Sequence, residues 1–300
     1  MFSAYKNKNQ LIGFIGSSQD GISLYVIDSI SEETIWKKYY EKENAKNFMD
    51  KFATFSNFGQ NIFKCFILEL FERDWFQYIC EDLKEKLHQF HIPYSCISHQ
   101  NFLFSVLLAS TKITSKFGDT VLFVLPFKTS LNIGEFKYTP KGYELIQKKF
   151  FAFDPKTKPE ILRQKILGTS TPNLLIVAPH ESKEFAYREV FGEMKFCVAH
   201  GCLDCHPEQF VIEEAKRILD KNYVKYHILP TSIYSFNMFG SYDSENAKFG
   251  LLKVDMDEPL PISKTAYFSS SVLEVLVSFF KFSYSTYKKA VYTKVFFKLT

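Results

Sequence analysis

Residues 11–28 read LIGFIGSSQDGISLYVID, with two apolar runs on either side of a short polar segment. The polar segment ends in Asp20-Gly21, a pair that favours the tight turn of a β-hairpin. Each apolar run has about the length of an average strand. The stretch therefore predicts two antiparallel strands near the start of the chain.

Strands and helices alternate beyond this hairpin. Compact apolar runs predict buried strands, and apolar residues three or four positions apart predict helices. We expect strands at residues 63–70, 94–98, 119–127, 135–143 and 173–178, and helices at residues 41–55, 73–90, 102–110, 159–167, 181–193 and 207–219. This alternation predicts an α/β fold with helices on the faces of the sheet.

After Asn222 the character of the sequence changes. The pattern now predicts strands and turns without helices. We expect these strands at residues 251–254, 265–269, 272–280 and 290–299. The sequence therefore predicts a domain boundary near Asn222.

The composition argues against several classes of function. The net charge is +4 and the lysines are scattered along the sequence, whereas a nucleic-acid surface concentrates its basic residues on one face. The longest apolar runs, residues 102–109 and 272–280, are shorter than the roughly 20 residues that span a bilayer. Residues 1–10 are polar and predict no secretory signal. We therefore expect a cytoplasmic protein with reduced thiols, whose partners are neither nucleic acids nor membranes.

Short stretches of the sequence resemble the heat shock protein 70 chaperones, in the same order along the chain. Residues 11–18 stand where that family opens with a strand and a Gly-Thr-Thr phosphate turn, and residues 97–101 where it has Ile-Ile-Asn-Glu-Pro. Residues 121–125 occupy the strand that normally ends in Asp-Leu-Gly-Gly-Gly-Thr. Residues 175–181 resemble the strand and Gly-Gly-Ser-Thr turn before a helix, and residues 206–209 resemble Asn-Pro-Asp-Glu.

This resemblance implies a fold and a set of partners. It implies an actin-like ATPase (ribonuclease-H-like) α/β core of two lobes in residues 1–222, with reduced outer subdomains. An interdomain linker would follow at residues 223–228. Residues 229–300 would form a partial peptide-binding β-sandwich that lacks the helical lid. ATP or ADP would be the cofactor, and proteins or unfolded peptides the partners.

The acidic residues of that family's ATP site have no counterpart in this sequence. Phe14 or Ile15 stands in place of the first Asp, Gln100 in place of the Glu, and Leu125 in place of the second Asp. Mg²⁺ needs oxygen ligands, and apolar side chains supply none. We therefore expect no catalytic residue here.

The glycines of the family's phosphate turns are missing as well. Pro126-Phe127-Lys128-Thr129 replaces one glycine-rich turn and Ala178-Pro179 another, and the chain has only 12 glycines. Side chains then stand where the backbone would approach a phosphate. A vestigial cleft would be left with Gly16, Ser17, Ser18, Gln100 and Ser130. The alternative is that Ser17 to Gly21 form a plain hairpin turn.

Three functional hypotheses follow from the resemblance and its departures. The first is a non-catalytic relative of the chaperones, a pseudo-ATPase that acts through protein–protein interaction. The second is an ATP-dependent protein-folding chaperone with an altered nucleotide site. The third is a marginally folded product of a decaying gene copy.

A cluster of cysteines and histidines forms the sharpest local motif. Cys202 and Cys205 have the Cys-x-x-Cys spacing of tetrahedral zinc sites, and Cys197 and His206 could complete such a site. Cys-x-x-Cys-His is also the attachment pattern of c-type haem. Redox pairing and ordinary loop thiols are further interpretations.

Overall fold

The protein divides into two compact units, Met1–Ile228 and Leu229–Thr300. The computed structural model describes residues 10–18, 20–44, 47–50, 52, 62–69, 77–127, 129–152, 154, 156–178, 187–192, 194–199, 207–232, 234–241, 249–260, 274–281 and 291–294.

The first unit begins with a five-stranded mixed sheet. Its strands are β1 (Leu11–Ser17), β2 (Gly21–Asp28), β3 (Thr34–Glu41), β4 (Phe63–Glu69) and β5 (Tyr94–Cys96), in the order β3-β2-β1-β4-β5. β1 pairs antiparallel with β2 and parallel with β4. The register places Ser17 opposite Ile22, so the hairpin predicted from residues 11–28 is confirmed.

A second five-stranded sheet repeats this topology. Its strands are β6 (Thr120–Pro126), β7 (Ser130–Thr139), β8 (Gly142–Ala152), β9 (Leu174–Val177) and β10 (Phe196–Val198), in the order β8-β7-β6-β9-β10. The first three strands are antiparallel neighbours and the last two are added in parallel, as in the first sheet. Two α/β repeats of this kind make the actin-like ATPase fold that the resemblance implied.

Two helices lie between the sheets. The helices of the described chain are α1 (Gln77–Gln89), α2 (His99–Thr111), α3 (Pro159–Leu167), α4 (Tyr187–Phe191) and α5 (Glu208–Leu219). Residues 101–109 of α2 are all buried, and they share one core cluster with α5 and with the inner faces of both sheets. No helix in the described part of the chain is both long and apolar enough to cross a bilayer.

The remaining helices cover the outer faces of the sheets. On the first sheet, Leu83 of α1 packs in one cluster with Ile15 of β1. On the second sheet, Ile166 of α3 and Phe191 of α4 pack with Leu122 of β6. The unit therefore has five layers, and both sheets are apolar on both faces because both faces are covered.

Several strands were not predicted from the sequence, β3 and most of β8 among them. β3 overlaps the first residue of the helix expected at residues 41–55. In the described part of that range, residues 42–44 form a 3-10 turn and residues 47–50 and 52 have helical backbone. The strand expected at residues 135–143 covers the end of β7, the turn after it and only the first two residues of β8. β3 and β8 both lie at sheet edges and carry many exposed or half-buried polar residues, so neither has the apolar run of a buried strand.

Residues 223–228, predicted as an interdomain linker, lie within the first unit. Tyr226 and Ile228 are only 7% and 3% exposed and belong to the central core. Tyr143 N donates to His227 O at 2.7 Å, and Ile228 forms a parallel bridge with the same tyrosine. The first compact unit therefore extends to Ile228, because this segment buries apolar side chains against the core.

The described part of the second unit contains one antiparallel sheet. Its strands are β11 (Tyr234–Ser241), β12 (Phe249–Val254), β13 (Glu274–Lys281) and β14 (Val291–Lys294), in the order β12-β11-β13-β14. No second sheet is described that would pack on it, so the partial β-sandwich is not confirmed. The strand expected at residues 265–269 lies outside the described residues.

The close approach of β1 and β4 provides a test of the core packing. A Cβ at Gly13 would lie 2.0 Å from the ring of Phe66, which is 3% exposed and packs against Phe52 and Phe63. Because this ring cannot move aside, we expect Gly13→Ala to lower the free energy of unfolding by about 1–3 kcal/mol, measured by chemical denaturation. At Gly250, in the second unit, nothing lies within 4 Å of an added Cβ, so Gly250→Ala is the control. An unchanged denaturation midpoint for Gly13→Ala would contradict this packing.

Candidate functional site

The side-chain carboxylate of Glu69 accepts a hydrogen bond at the turn between β1 and β2. Ser17 N donates to Oε2 of Glu69, the last residue of β4, at 2.9 Å. β1 and β4 are parallel neighbours, so their carboxyl ends meet at the same edge of the sheet, with Gly16 opposite Glu69. The Ser17 N–H, which would face a phosphate in the predicted cleft, is therefore already paired with an acidic side chain.

Ser18 contributes its polar atoms to the turn itself. Its N–H donates to Gly21 O at 2.9 Å, which closes the hairpin. Its hydroxyl lies 3.3 Å from the same carbonyl oxygen and accepts from Asp20 N at 3.3 Å. These are the hydrogen bonds of a plain hairpin turn, which was the alternative interpretation of this segment.

Glu69 also connects the turn with the start of α2. Its side chain is buried, and its Oε1 lies 3.1 Å from His99 Nδ1. Gln100, which follows His99 in α2, donates through Nε2 to Oδ1 of the buried Asn132 on β7, at a long distance of 3.5 Å. The predicted cleft residues Ser17 and Gln100 are thus connected through Glu69 and the first turn of α2.

Phe14 and Ile15, the two residues that could stand in place of the family's first Asp, face opposite sides of the first sheet, because side chains alternate along β1. Phe14 stacks on Phe102 of α2, with ring centroids 5.3 Å apart. Ile15 faces the other way, into the cluster beneath α1. A Cβ on Gly16 would lie 3.3 Å from the Phe14 ring, so Phe14 fills the space under the turn.

The turn between β6 and β7 is the equivalent position in the second repeat. Phe127 N donates to Ser130 O at 2.8 Å and closes this turn. Leu125, which stands in place of the second Asp, is fully buried and lies opposite Asn132 on β7. Ser130 is the first residue of β7, the strand that Gln100 contacts through Asn132. Lys128 lies outside the described residues.

Ala178, in the expected adenosine turn, directly follows β9, the parallel neighbour of β6 in the second sheet. It is 1% exposed, and its N–H donates to Val124 O at 2.9 Å. Its carbonyl accepts from the hydroxyl of Tyr187 at 2.6 Å. The backbone that would form an adenosine turn is thus used in packing, and Pro179 lies outside the described residues.

The metal prediction rests mainly on residues that the structure does not describe. Cys202, Cys205 and His206 lie outside the described residues. Cys197 is half-buried on β10 and has a free thiol, 3.7 Å from Val198 O. Within the described ranges, no three His, Cys, Asp or Glu residues are grouped so as to hold a metal ion.

A buried charged network on α5 was missed by the sequence analysis. Acidic side chains are mostly exposed in proteins, yet Glu213 and Glu214 are each only 7% exposed. Arg217 forms two hydrogen bonds with the Glu214 carboxylate, and its Nη2 also lies 3.0 Å from Ser95 Oγ on β5. Glu213 accepts from Lys216 Nζ at 2.9 Å. These acidic residues are buried because α5 is covered on more than one side, which the sequence pattern of the helix does not reveal.

Residues 223–227 complete this network around a small cavity. The hydroxyl of Tyr223 donates to Glu213, and burial, reinforced by this hydrogen bond, raises the pKa of the tyrosine. Burial, followed by the charge of Arg217, lowers the pKa of His227 from 6.5 to about 4. The cavity that these side chains line offers about 10 Å³ to the centre of a water molecule, which is room for about one water. These contacts hold residues 223–227 against α5, and the cavity has no room for a ligand larger than a water molecule.

Comparisons with known proteins show no family for this chain. No family profile and no curated protein matches it. Among solved structures, it is similar to a putative N-acetylmannosamine kinase from Listeria monocytogenes, with a TM-score of 0.42 and 10% identity over 70% of this chain and 99% of that one.

Two further structures show a similar distant likeness. One is a Bacteroides thetaiotaomicron protein with an actin-like ATPase fold and unknown function, with a TM-score of 0.39 and 13% identity over 69% of this chain and 97% of that one. The other is an Aquifex aeolicus Ppx/GppA phosphatase, with a TM-score of 0.35 and 9% identity over 57% of this chain and 67% of that one. At such low values none of these similarities transfers an activity to this chain.

Breaking the α5 network tests whether its charges are truly buried. Arg217→Met would leave the Glu214 carboxylate without its cation, and we expect a loss of about 3–5 kcal/mol in the free energy of unfolding. The control is Glu81→Ala, which breaks an i,i+3 pair with Lys84 whose glutamate side chain is 69% exposed. That change should stay within about 0.5 kcal/mol in the same denaturation experiment. Equal losses for the two variants would show that the network is solvated.

The buried imidazole of His227 predicts a pH dependence. Because its pKa falls from 6.5 to about 4 on folding, the unfolded chain binds a proton that the folded chain does not between these values. Stability present above pH 6.5 is therefore lost as the pH falls toward 4, by an amount on the order of 3 kcal/mol. Denaturation curves across this range should have a smaller pH slope in His227→Gln than in the parent protein. Identical slopes would contradict the assignment.

Proposed function

We propose that this protein is a non-catalytic, heat shock protein 70-like member of the actin-like ATPase fold, which binds proteins or unfolded peptides and does not hydrolyse ATP. The observation that carries the proposal is the Glu69 carboxylate on Ser17 N, at the turn that would hold a phosphate. The remaining support comes from the side chains around it.

Glu69 opposes an anion at this turn in two ways. It occupies the Ser17 N–H, which a phosphate oxygen would otherwise accept from. It also places a negatively charged group at the turn, where it would repel the negative charge of a phosphate. Nucleotide binding would require Glu69 to leave both Ser17 and His99.

The replaced carboxylates support the absence of catalysis. Phosphoryl transfer depends on positioned metal ions and on a group that orients the attacking water. Phe14 and Leu125 are both buried and offer no oxygen to Mg²⁺. The amide of Gln100 points to Asn132 and cannot act as a carboxylate base.

The sheet of the second unit supports a peptide-binding role. In the described residues, β12 and β14 lie at its two edges. An edge strand presents backbone N–H and C=O groups with which an extended peptide can pair. A binding protein of this kind needs no nucleotide chemistry.

The alternative function is an ATP-dependent protein-folding chaperone with an altered nucleotide site. It would keep Gly16, Ser17, Ser18, Gln100 and Ser130 as cleft residues, with ATP or ADP as cofactor. The actin-like ATPase fold favours it, since nucleotide binding is plausible for this architecture.

The two proposals differ in their response to MgATP. We expect calorimetry of the purified protein to show no binding heat at millimolar MgATP, and the melting temperature to stay unchanged. A nucleotide at 100 times its dissociation constant would instead stabilise the fold by about 2.7 kcal/mol. The same protein should bind reduced, carboxymethylated α-lactalbumin, a permanently unfolded chain, whether or not ATP is present. Binding and hydrolysis of MgATP would establish the alternative, and failure to bind either ligand would defeat both.

Glu69→Gln tests the role of the carboxylate directly. The amide keeps an oxygen for Ser17 N but removes the negative charge, so weak MgATP binding should emerge without hydrolysis. Glu135→Gln is the matched control. This glutamate is on β7 of the second sheet and is also 5% exposed, but its carboxylate accepts hydrogen bonds from Gln147 and Ser170. A gain of binding in both variants would show that the effect is not specific to the turn.

A further inference from the structure

The fold gathers lysines that are far apart in the sequence. They lie on three loops at one end of the first unit: residues 112–119 after α2, residues 137–144 around the β7–β8 turn, and residues 220–227 after α5. We call this end the basic pole; its lysines are Lys112, Lys116, Lys137, Lys141, Lys221 and Lys225. The sequence analysis had taken the scattering of lysines as evidence against a nucleic-acid surface, and it had expected no membrane partner.

Contacts between the loops establish that they converge. Gly118 N donates to Tyr138 O at 2.8 Å, which joins the first loop to the second. The hydroxyl of Tyr143 donates to Ser115 Oγ at 3.0 Å across the same junction. Tyr143 N donates to His227 O at 2.7 Å and so connects the second loop with the third.

The lysines of the basic pole face solvent. All are exposed except Lys225, which is half-exposed with its ammonium 4.8 Å from the centre of the Tyr226 ring. The acidic residues on the same loops are Asp119, Glu144 and Asp220. Asp119 and Asp220 accept backbone N–H groups within their own turns. The pole therefore carries an excess of positive charge.

An aromatic side chain protrudes from the same surface. Phe117 lies between Lys116 and Gly118 at the tip of the first loop and is 65% exposed. Its ring rests on Tyr138, with centroids 5.2 Å apart, and Tyr138 is itself only 8% exposed. A single exposed ring flanked by a lysine is thus presented to solvent.

The side-chain chemistry of the pole favours one class of partner. The three loops contain lysine and no arginine, so they offer point charges rather than the planar fork that recognises individual phosphates. A single-stranded nucleic acid would need several stacking rings, and the pole exposes one. Lysine is depleted at protein interfaces. Clustered lysines with an exposed apolar side chain suit an anionic lipid surface.

We propose that the basic pole docks the protein on an anionic membrane surface, with lysines near the headgroups and Phe117 inserted at the interface. The site is separate from the candidate cleft. Ser130, in the turn at the cleft, and Thr139, at the pole, are the two ends of β7, about 30 Å apart along the strand. Membrane docking therefore does not depend on nucleotide or peptide binding.

Vesicle sedimentation of the full chain tests the proposal. The protein should bind vesicles that contain phosphatidylserine, should not bind pure phosphatidylcholine vesicles, and should dissociate as salt is raised. Lys116→Gln/Lys141→Gln should lower the partition coefficient about 30-fold, since each lysine near such a surface contributes about fivefold. Phe117→Ser should lower it about tenfold through loss of apolar burial.

Matched controls separate docking from general charge effects. Lys156→Gln/Lys158→Gln removes the same charge beyond the opposite end of β8, and Ile146→Ser removes another exposed apolar side chain, 51% exposed. Both should change binding less than about twofold, because charges beyond a Debye length are screened. Equal losses in the pole and control variants would overturn the proposal. So would equal binding to both kinds of vesicle, or tighter binding to single-stranded DNA or polyglutamate than to the anionic vesicles.

Discussion

The burial of α2 between two sheets is the constraint on which the rest of the first unit depends. A helix that is apolar on every side must be covered on every side. Residues 101–109 are buried without exception, and each sheet supplies one wall. Each large apolar side chain buried there contributes about 1.5–3 kcal/mol. Neither repeat could cover this helix by itself, so the two sheets stabilise each other through it.

The same packing accounts for the apolar residues at the positions where the resemblance would place acidic ones. Phe14 stacks on Phe102 of α2, so the position beneath the turn is part of the central layer. A carboxylate at Phe14 would be buried against an apolar helix and would be costly without a cation. Leu125 occupies the equivalent buried position in the second repeat. Apolar residues at these two positions therefore favour the packing, and they supply no oxygen ligand for a metal ion.

The sequence predicts those elements whose burial is visible in their own residues. β1, β6 and β9 are compact apolar runs, and the structure has strands at these places. β8 is only half-buried and was predicted in part, because an edge strand lacks such a run. Interactions between distant segments left no local signal. The pairing of Glu69 with Ser17, the burial of Glu213 and the gathering of the pole lysines all arise from chain topology.

Hydrogen bonding inside the protein bears on the hypothesis of a decaying gene copy. Random substitution would place polar groups in the core without partners, and each such group costs about 1–3 kcal/mol. Among the described residues, Ser29 Oγ is the buried side-chain polar atom without a hydrogen bond. Glu69 and Glu135 instead each hold two polar partners. With Ser29 Oγ as the exception, this pairing of buried polar groups is typical of a maintained fold and argues against a decaying gene copy.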